Sequence, residues 1–147
     1  MKNTRVARGL RNNNPLNIIK NKTVRWLGET NCDSERTFCQ FSTMAFGLRA
    51  ALKLLRTYYV RHGCITLRQI IRRWAPETEN KTVAYIHTVC HLTDKLPDSP
   101  LPPMSRDTSD VWQTVVLAMA TVECGLDELG REHLRADLEN AWSMLYY

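Results

Sequence analysis

The stretch VVLAMATVECGLDE, residues 115–128, joins an apolar helix to a single carboxylic acid, Glu123. Trp112, Val116 and Met119 precede this acid at helical spacing, so all four side chains fall on one stripe of the helix. Because the stripe should face the core, burial and the negative end of the helix dipole predict a raised pKa for Glu123. A carboxylic acid that keeps its proton near neutral pH can act as a general acid. The alternative is a helix that frays at the next glycine, with the acid turned to solvent.

Length and composition indicate one compact domain. The chain has 147 residues, 44% of them hydrophobic, which is enough for a single core without metals or disulfides. The opening residues, MKNTRVARGLRNNNP, are polar and basic and do not resemble a signal peptide. No apolar run approaches the ~20 residues that span a bilayer. We therefore expect a protein made in the cytoplasm that does not insert into membranes and that reaches the periplasm or cell wall only by delivery.

The formal net charge of +5 favours polyanionic partners. It does not choose between nucleic acid, anionic envelope polymers and an acidic protein. The cations are scattered and no helix-turn-helix or stacking-aromatic module is present, so nucleic acid is not the expected partner. Five widely spaced cysteines form no CxxC pair and no zinc pattern with the four histidines. We expect reduced thiols, no metal site and no cofactor.

The order of the patterns predicts a single, mostly helical α+β domain over residues 1–147. Ser42, Thr66 and Asn80 are the expected N-caps of its first three helices, and the last two should run from about Ser109 to Cys124 and from Asp127 to Leu145. The predicted segments are an irregular arm (1–16), a β-hairpin region (17–41), three helices (42–92), a proline-rich connection (93–108) and two C-terminal helices (109–147).

Two long motifs carry a family resemblance. RNNNPLNI (residues 11–18) and RWAPETENKT (73–82) occur in this order, together with WLGE, FCQFSTMAFGLRAALKLLRTYY and VECG. Over nearly its whole length the chain resembles phage and prophage proteins described as virion structural or peptidoglycan-degrading proteins. The family usually has glycine where this chain has Leu16, so the backbone after Pro15 is expected to differ.

A more distant resemblance is to bacterial wall-degrading glucosaminidases of the lysozyme superfamily. In those enzymes a helix ends in a catalytic Glu followed by a small residue and Gly, ahead of an Asn-led segment, a W-x-G, a hairpin and further helices. This chain has the same order of segments, except that no Glu helix stands at the front. The segments are Asn17–Lys20, Trp26–Gly28, Phe38–Phe41, Trp74–Pro76 and Tyr85. AMATVECGLD near the end resembles the missing helix. The resemblance implies a circularly permuted lysozyme-like fold with Glu123 in the position of the acid.

The second catalytic group is left open by the sequence. Glycoside cleavage commonly uses a second carboxylate, or else the acetamido group or 6-hydroxyl of the substrate itself. Glu35 and Glu79 are the better candidates, although Glu35 fits a solvated hairpin residue and Glu79 a brace of its own loop. If no second acid approaches Glu123, a lytic transglycosylase is favoured over a hydrolase. Arg49 is a candidate to hold the hairpin carboxylates in a bidentate pair.

The candidate substrate-binding residues each have a structural alternative. Asn14 and Asn17 could bind N-acetyl groups or pin the turn after the proline between them. Trp26 and Trp74 could stack on sugar faces or pack in the core. Tyr85 is a candidate because a tyrosine near the acid assists several related enzymes.

These observations predict an enzyme that cleaves the glycan strands of peptidoglycan, either a muramidase or glucosaminidase or a lytic transglycosylase, with Glu123 as general acid. It would come from a phage, a prophage or an antibacterial delivery system. Its expected partners are the glycan strands, virion or secretion-apparatus components, or an inhibitor protein. The main alternative is a non-catalytic virion or delivery-apparatus component that binds cell-wall glycan, and a lesser one is a nucleic-acid-associated accessory protein.

Overall fold

The computed structural model describes residues 6–31, 34–76 and 79–146, the side chains of residues 79 and 80 excepted. The described part of the chain is mostly helical with one small antiparallel sheet, which confirms the α+β class. Its elements are α1 (Arg8–Arg11), β1 (Glu29–Thr30), β2 (Gln40–Phe41), α2 (Met44–His62), α3 (Leu67–Trp74), α4 (Glu79–Thr93), a 3₁₀ turn (Arg106–Thr108), α5 (Ser109–Cys124) and α6 (Glu128–Leu145).

Side-chain caps fix where the helices begin. Thr66 caps α3 in a capping box: its side-chain oxygen accepts from the backbone N–H of Gln69, and the Gln69 side chain accepts from the backbone N–H of Thr66. Thr43 caps α2, one residue after the predicted Ser42. Asn80 lies inside α4, so the N-cap predicted there is wrong.

The core is built from the faces of the long helices. α2 packs chiefly on α6, and α4 packs on α5. The predicted stripe on α5 is confirmed, because Trp112, Val116 and Met119 are all fully buried. Trp112 also donates its indole N–H to the carbonyl of Pro102, at 3.1 Å, which ties the proline-rich connection to the core. No helix among the described residues has the length and apolarity that a bilayer crossing requires.

The described part of the N-terminal segment is packed into the domain, and the irregular arm predicted over residues 1–16 is wrong where α1 forms. Arg8–Arg11 form a short helix, and Asn12, Asn14 and Leu16 are buried. The Asn14 amide nitrogen donates to the carbonyls of Ile18 and Cys39, and its oxygen accepts from the N–H of Ile18. These bonds join the segment to the hairpin region that ends in β2.

The departure at Leu16 is explained by its neighbours. Left-handed backbone occurs at Asn13, with φ of 52°, and at Asn17, with φ of 54°. Asparagine tolerates this region better than most residues with a Cβ atom. Because the asparagines take the left-handed positions, Leu16 can fill the core, where it is 0% exposed.

Two leucines of α6 test the core. Leu138 is 1% exposed and Leu129 is 63% exposed. We expect Leu138→Ala to lower the free energy of unfolding by about 2–5 kcal/mol, because it removes buried methyl groups and leaves a cavity. Leu129→Ala, the matched control, should change it by less than ~0.5 kcal/mol. Urea denaturation measures both, and equal losses would contradict the packing of α6.

Candidate active site

Glu123 lies in the last turn of α5, where Gly125 ends the helix in the left-handed conformation. Its side chain is half-buried instead of turned to solvent. The Asn17 amide nitrogen donates to Oε1 at 3.0 Å, and the Tyr85 hydroxyl donates to Oε2 at 3.1 Å. The structure therefore brings together three of the candidate residues, from the two ends and the middle of the chain.

Gly9 allows the N-terminal segment to reach the end of α5. A Cβ atom at Gly9 would lie 2.8 Å from Cys124 Sγ and 2.9 Å from the backbone oxygen of Asn14, closer than real contacts allow. The Cys124 thiol donates to the carbonyl of Pro15 at 3.3 Å. Burial raises the pKa of this thiol to about 11, and the adjacent Glu123 adds to the shift. Cys124 is therefore a packed thiol that keeps its proton near neutral pH.

Asn17 is held at an energetic cost. Its backbone is left-handed, and its side-chain oxygen is buried without a hydrogen-bond partner in the described part of the chain. An unsatisfied buried polar atom costs about 1–3 kcal/mol. Its amide nitrogen is the group turned toward Glu123. Departures from local rules of this kind are expected at functional positions.

Tyr85 acts as a neutral donor. It is 6% exposed on α4, where burial, followed by the charge of Glu123, raises its pKa well above the ordinary value. The hydroxyl therefore keeps its proton over the physiological range and donates to the carboxylate.

The surroundings of Glu123 act on its proton in opposite directions. Hydrogen bonds from Asn17 and Tyr85 favour the charged carboxylate, whereas partial burial and the carbonyl end of α5 favour the neutral acid. The raised pKa expected from the sequence stays a prediction.

A cavity of about 340 Å³ opens beside the Glu123 carboxylate. Such a volume matches small-ligand sites. Besides Glu123, its wall is formed by Tyr85, by Lys81 and by the small side chains of Ala75, Thr82, Ala84, Thr88 and Val122. A second cavity of about 200 Å³ is lined by Asn17, Tyr58 and Trp74. Asn17 thus connects the two cavities, because it lines one and is hydrogen-bonded to the acid of the other.

Glu35 is a structural carboxylate. Arg8 binds it with two hydrogen bonds of 2.7 Å, and Asn12 donates a third. The backbone N–H groups of Thr37 and Phe38 also donate to it. The Arg8 guanidinium, together with these other donors, holds the pKa of Glu35 far below its usual range although burial opposes the shift. Its hydrogen-bonding capacity is used in fixing the hairpin to α1.

The residue that holds this carboxylate was predicted wrongly. The sequence suggested Arg49, but Arg8 makes the bidentate pair. Arg8 lies in the predicted irregular arm, and no local sequence pattern places it against Glu35. A second candidate acid, Glu79, begins α4, and its side chain lies outside the described residues.

The remaining candidate residues differ in whether they stabilise the fold, line a cavity or do both. Asn14 is wholly engaged in pinning the backbone, so its structural alternative is the one observed. Trp26 packs on the core from the hairpin side and lines neither of the two cavities. Trp74 does both: its indole N–H donates to the carbonyl of Leu16, and its ring lines the cavity at Asn17.

Comparison with known proteins identifies a phage family. No family model matches the sequence. The chain is 37% identical over 135 residues to protein P5 of Pseudoalteromonas phage PM2, an alignment that covers 90% of this chain and 81% of that protein. The chain belongs to the family of protein P5. This confirms the phage connection of the first resemblance, and the name of the relative states no activity.

The ion pair of Glu35 predicts how stability depends on pH. Because the folded protein holds the pKa of Glu35 below its unfolded value of about 4.3, the stabilisation is present above that pH and is lost as pH falls below it. Glu35→Gln should be less stable than the parent at pH 7, and the difference should shrink progressively below about pH 4.

Urea denaturation at pH 7, 4 and 3 measures the difference. Glu132→Gln is the control, since Glu132 forms an exposed pair with Arg135. Its effect should stay within ~1 kcal/mol at each pH. A Glu35→Gln effect that is the same at pH 3 and pH 7 would show that the carboxylate charge contributes nothing.

Proposed function

We propose that this protein cleaves the glycan strands of peptidoglycan, with Glu123 as the acid that protonates the glycosidic oxygen. One observation carries the proposal: the Glu123 carboxyl group borders a cavity and is held there by Asn17 and Tyr85. Positioned acids contribute about 10²–10⁴ to a reaction rate. The order of motifs described above supports a lysozyme-like fold that is circularly permuted, with α5 as the transposed acid helix.

The carboxylates near the site favour a single-acid reaction. Among the described residues that line the cavity, Glu123 is the only carboxylate. Glu35 is bound to Arg8 and is ionised, so it is not available as a second catalytic group. A cavity whose described lining holds one acid fits intramolecular attack by the substrate better than attack by an enzyme carboxylate.

We therefore propose a lytic transglycosylase reaction. Glu123 gives its proton to the glycosidic oxygen as the bond from that oxygen to C1 breaks. The 6-hydroxyl of the same sugar bonds to C1, and its proton passes to Glu123, which restores the acid. The products are an anhydro end and a free hydroxyl, with no water consumed and no cofactor required. Tyr85 and Asn17 hold the carboxyl group in place through both transfers.

The family connection is to a phage protein, and the proposed role at the cell wall comes from the acid and its cavity. A phage protein that cuts glycan strands would meet its substrate in the periplasm, carried by the virion or admitted at lysis. The proposed partners are therefore peptidoglycan and, in the particle, other virion components.

The acid is tested by Glu123→Gln, which keeps the shape of the side chain while removing the transferable proton. We expect release of muropeptides from purified sacculi to fall by about 10²–10⁴-fold. Mass spectrometry of the products should find anhydro ends in the parent digest. Glu132→Gln, on the exposed face of α6, is the control and should keep full activity.

The outcomes separate the candidate functions. Clearing that survives Glu123→Gln would reject the acid, and reducing ends in place of anhydro ends would replace the transglycosylase with a hydrolase. Binding to sacculi by both proteins, with no cleavage by either, would favour a glycan-binding virion component.

Tyr85 is tested by removal of its hydroxyl. Tyr85→Phe keeps the buried ring but takes one donor from Glu123, and we expect kcat to fall by about 10-fold, the effect of losing roughly 1.4 kcal/mol. Tyr59→Phe is a matched control, because the Tyr59 hydroxyl donates to the carbonyl of Leu101 away from the acid. Comparable losses of kcat in the two variants, measured by muropeptide release, would contradict a specific role for Tyr85.

A further inference from the structure

The cleft at Glu123 is larger than one cavity. A further cavity of about 350 Å³ adjoins the first, and Thr82 lines both. The consecutive residues Trp74, Ala75 and Pro76 each line a different one of the three cavities. The end of α3 and the two residues after it thus form a wall that the three cavities share. Glu123 lines the middle cavity.

Among the described residues that line it, the two ends of this cleft differ in charge. Beyond Glu123, the cavity at Pro76 is lined by Arg72, and Lys81 lines the middle cavity beside the acid. On the other side, the side chains around Asn17 and Trp74 that line the cavity are all uncharged. Arg72 and Lys81 are exposed, and neither forms a salt bridge in the described part of the chain. Asp98, the acid whose pKa Arg72 helps to lower, is itself bound by Arg68.

We propose that Arg72 and Lys81 bind carboxylate groups carried by the glycan strand. The α3–α4 end of the cleft then binds the anionic part of the substrate, and the Trp74 end binds a neutral sugar. This inference rests on the proposed function and deepens it, because it assigns substrate selectivity and strand direction to the same site. Two cations near the path of an anionic polymer raise its local concentration and favour one orientation over the reverse.

The distinguishing experiment compares native sacculi with sacculi whose carboxyl groups have been converted to amides. The glycan and its bonds are the same in both, so only the charge differs. The parent protein should show a KM about 10-fold higher on amidated sacculi, with kcat little changed. The double variant Arg72→Gln/Lys81→Gln should show the raised KM already on native sacculi and no further increase on amidated ones.

The matched control is Lys22→Gln/Arg61→Gln, which lowers the net charge by the same amount at exposed positions that line none of these cavities. It should keep the parent's preference for native sacculi. If this control loses the preference as fully as the cleft variant, the effect belongs to overall charge and the assignment is overturned. A parent protein that treats both kinds of sacculi equally would also overturn it.

A binding experiment distinguishes failure of the proposed function from failure of the carboxylate assignment. Co-sedimentation of the Glu123→Gln protein with native and amidated sacculi measures the charge preference without cleavage. In one outcome the protein binds native sacculi preferentially, the preference is lost only when Arg72→Gln/Lys81→Gln is added, and the parent releases no muropeptides. That outcome would keep the carboxylate assignment and reject the enzyme. Muropeptide release without any charge preference in binding or KM would reject the carboxylate assignment and keep the enzyme.

Discussion

The hydrogen bond between Asn17 and Glu123 depends on the close packing of the N-terminal segment on the end of α5. Gly9 provides the close approach, the Cys124 thiol fixes the backbone at Pro15, and the left-handed turn at Asn17 aims its amide at the acid. Tyr85 completes the arrangement from the opposite side, out of α4. The acid is therefore oriented by two segments that lie far apart in the sequence.

Much of this arrangement could be predicted from local patterns. The apolar stripe that leads to Glu123, the bounds of α5 and the N-cap at Thr66 depend on residues within a few turns of one another, and all were predicted correctly. The proximity of Asn17 and Tyr85 to Glu123 followed from motif order, which carries information about distant contacts that periodicity lacks.

What could not be predicted depends on long-range pairing of polar groups. Glu35 has the appearance of a solvated hairpin residue until Arg8 is placed against it, and Arg8 is placed only when α1 packs on the domain. Asn14 is similar, since one of the carbonyls that it binds belongs to Cys39, which approaches it only after folding. The charges of the cleft were missed because Arg72 lies on the solvated face of α3, and only the position of α4 turns that face into a wall.

The separation of Asn17 from Glu123, 106 residues along the chain, bears on how the protein folds. Helical domains have low contact order and form rapidly, because most of their contacts are local. The contact at the acid belongs instead to the small non-local set, whose loop-closure entropy must be overcome before any stabilisation is gained. During synthesis the asparagine segment emerges first and has no carboxylate to bind until α5 is made, so a partly synthesised chain carries no assembled acid.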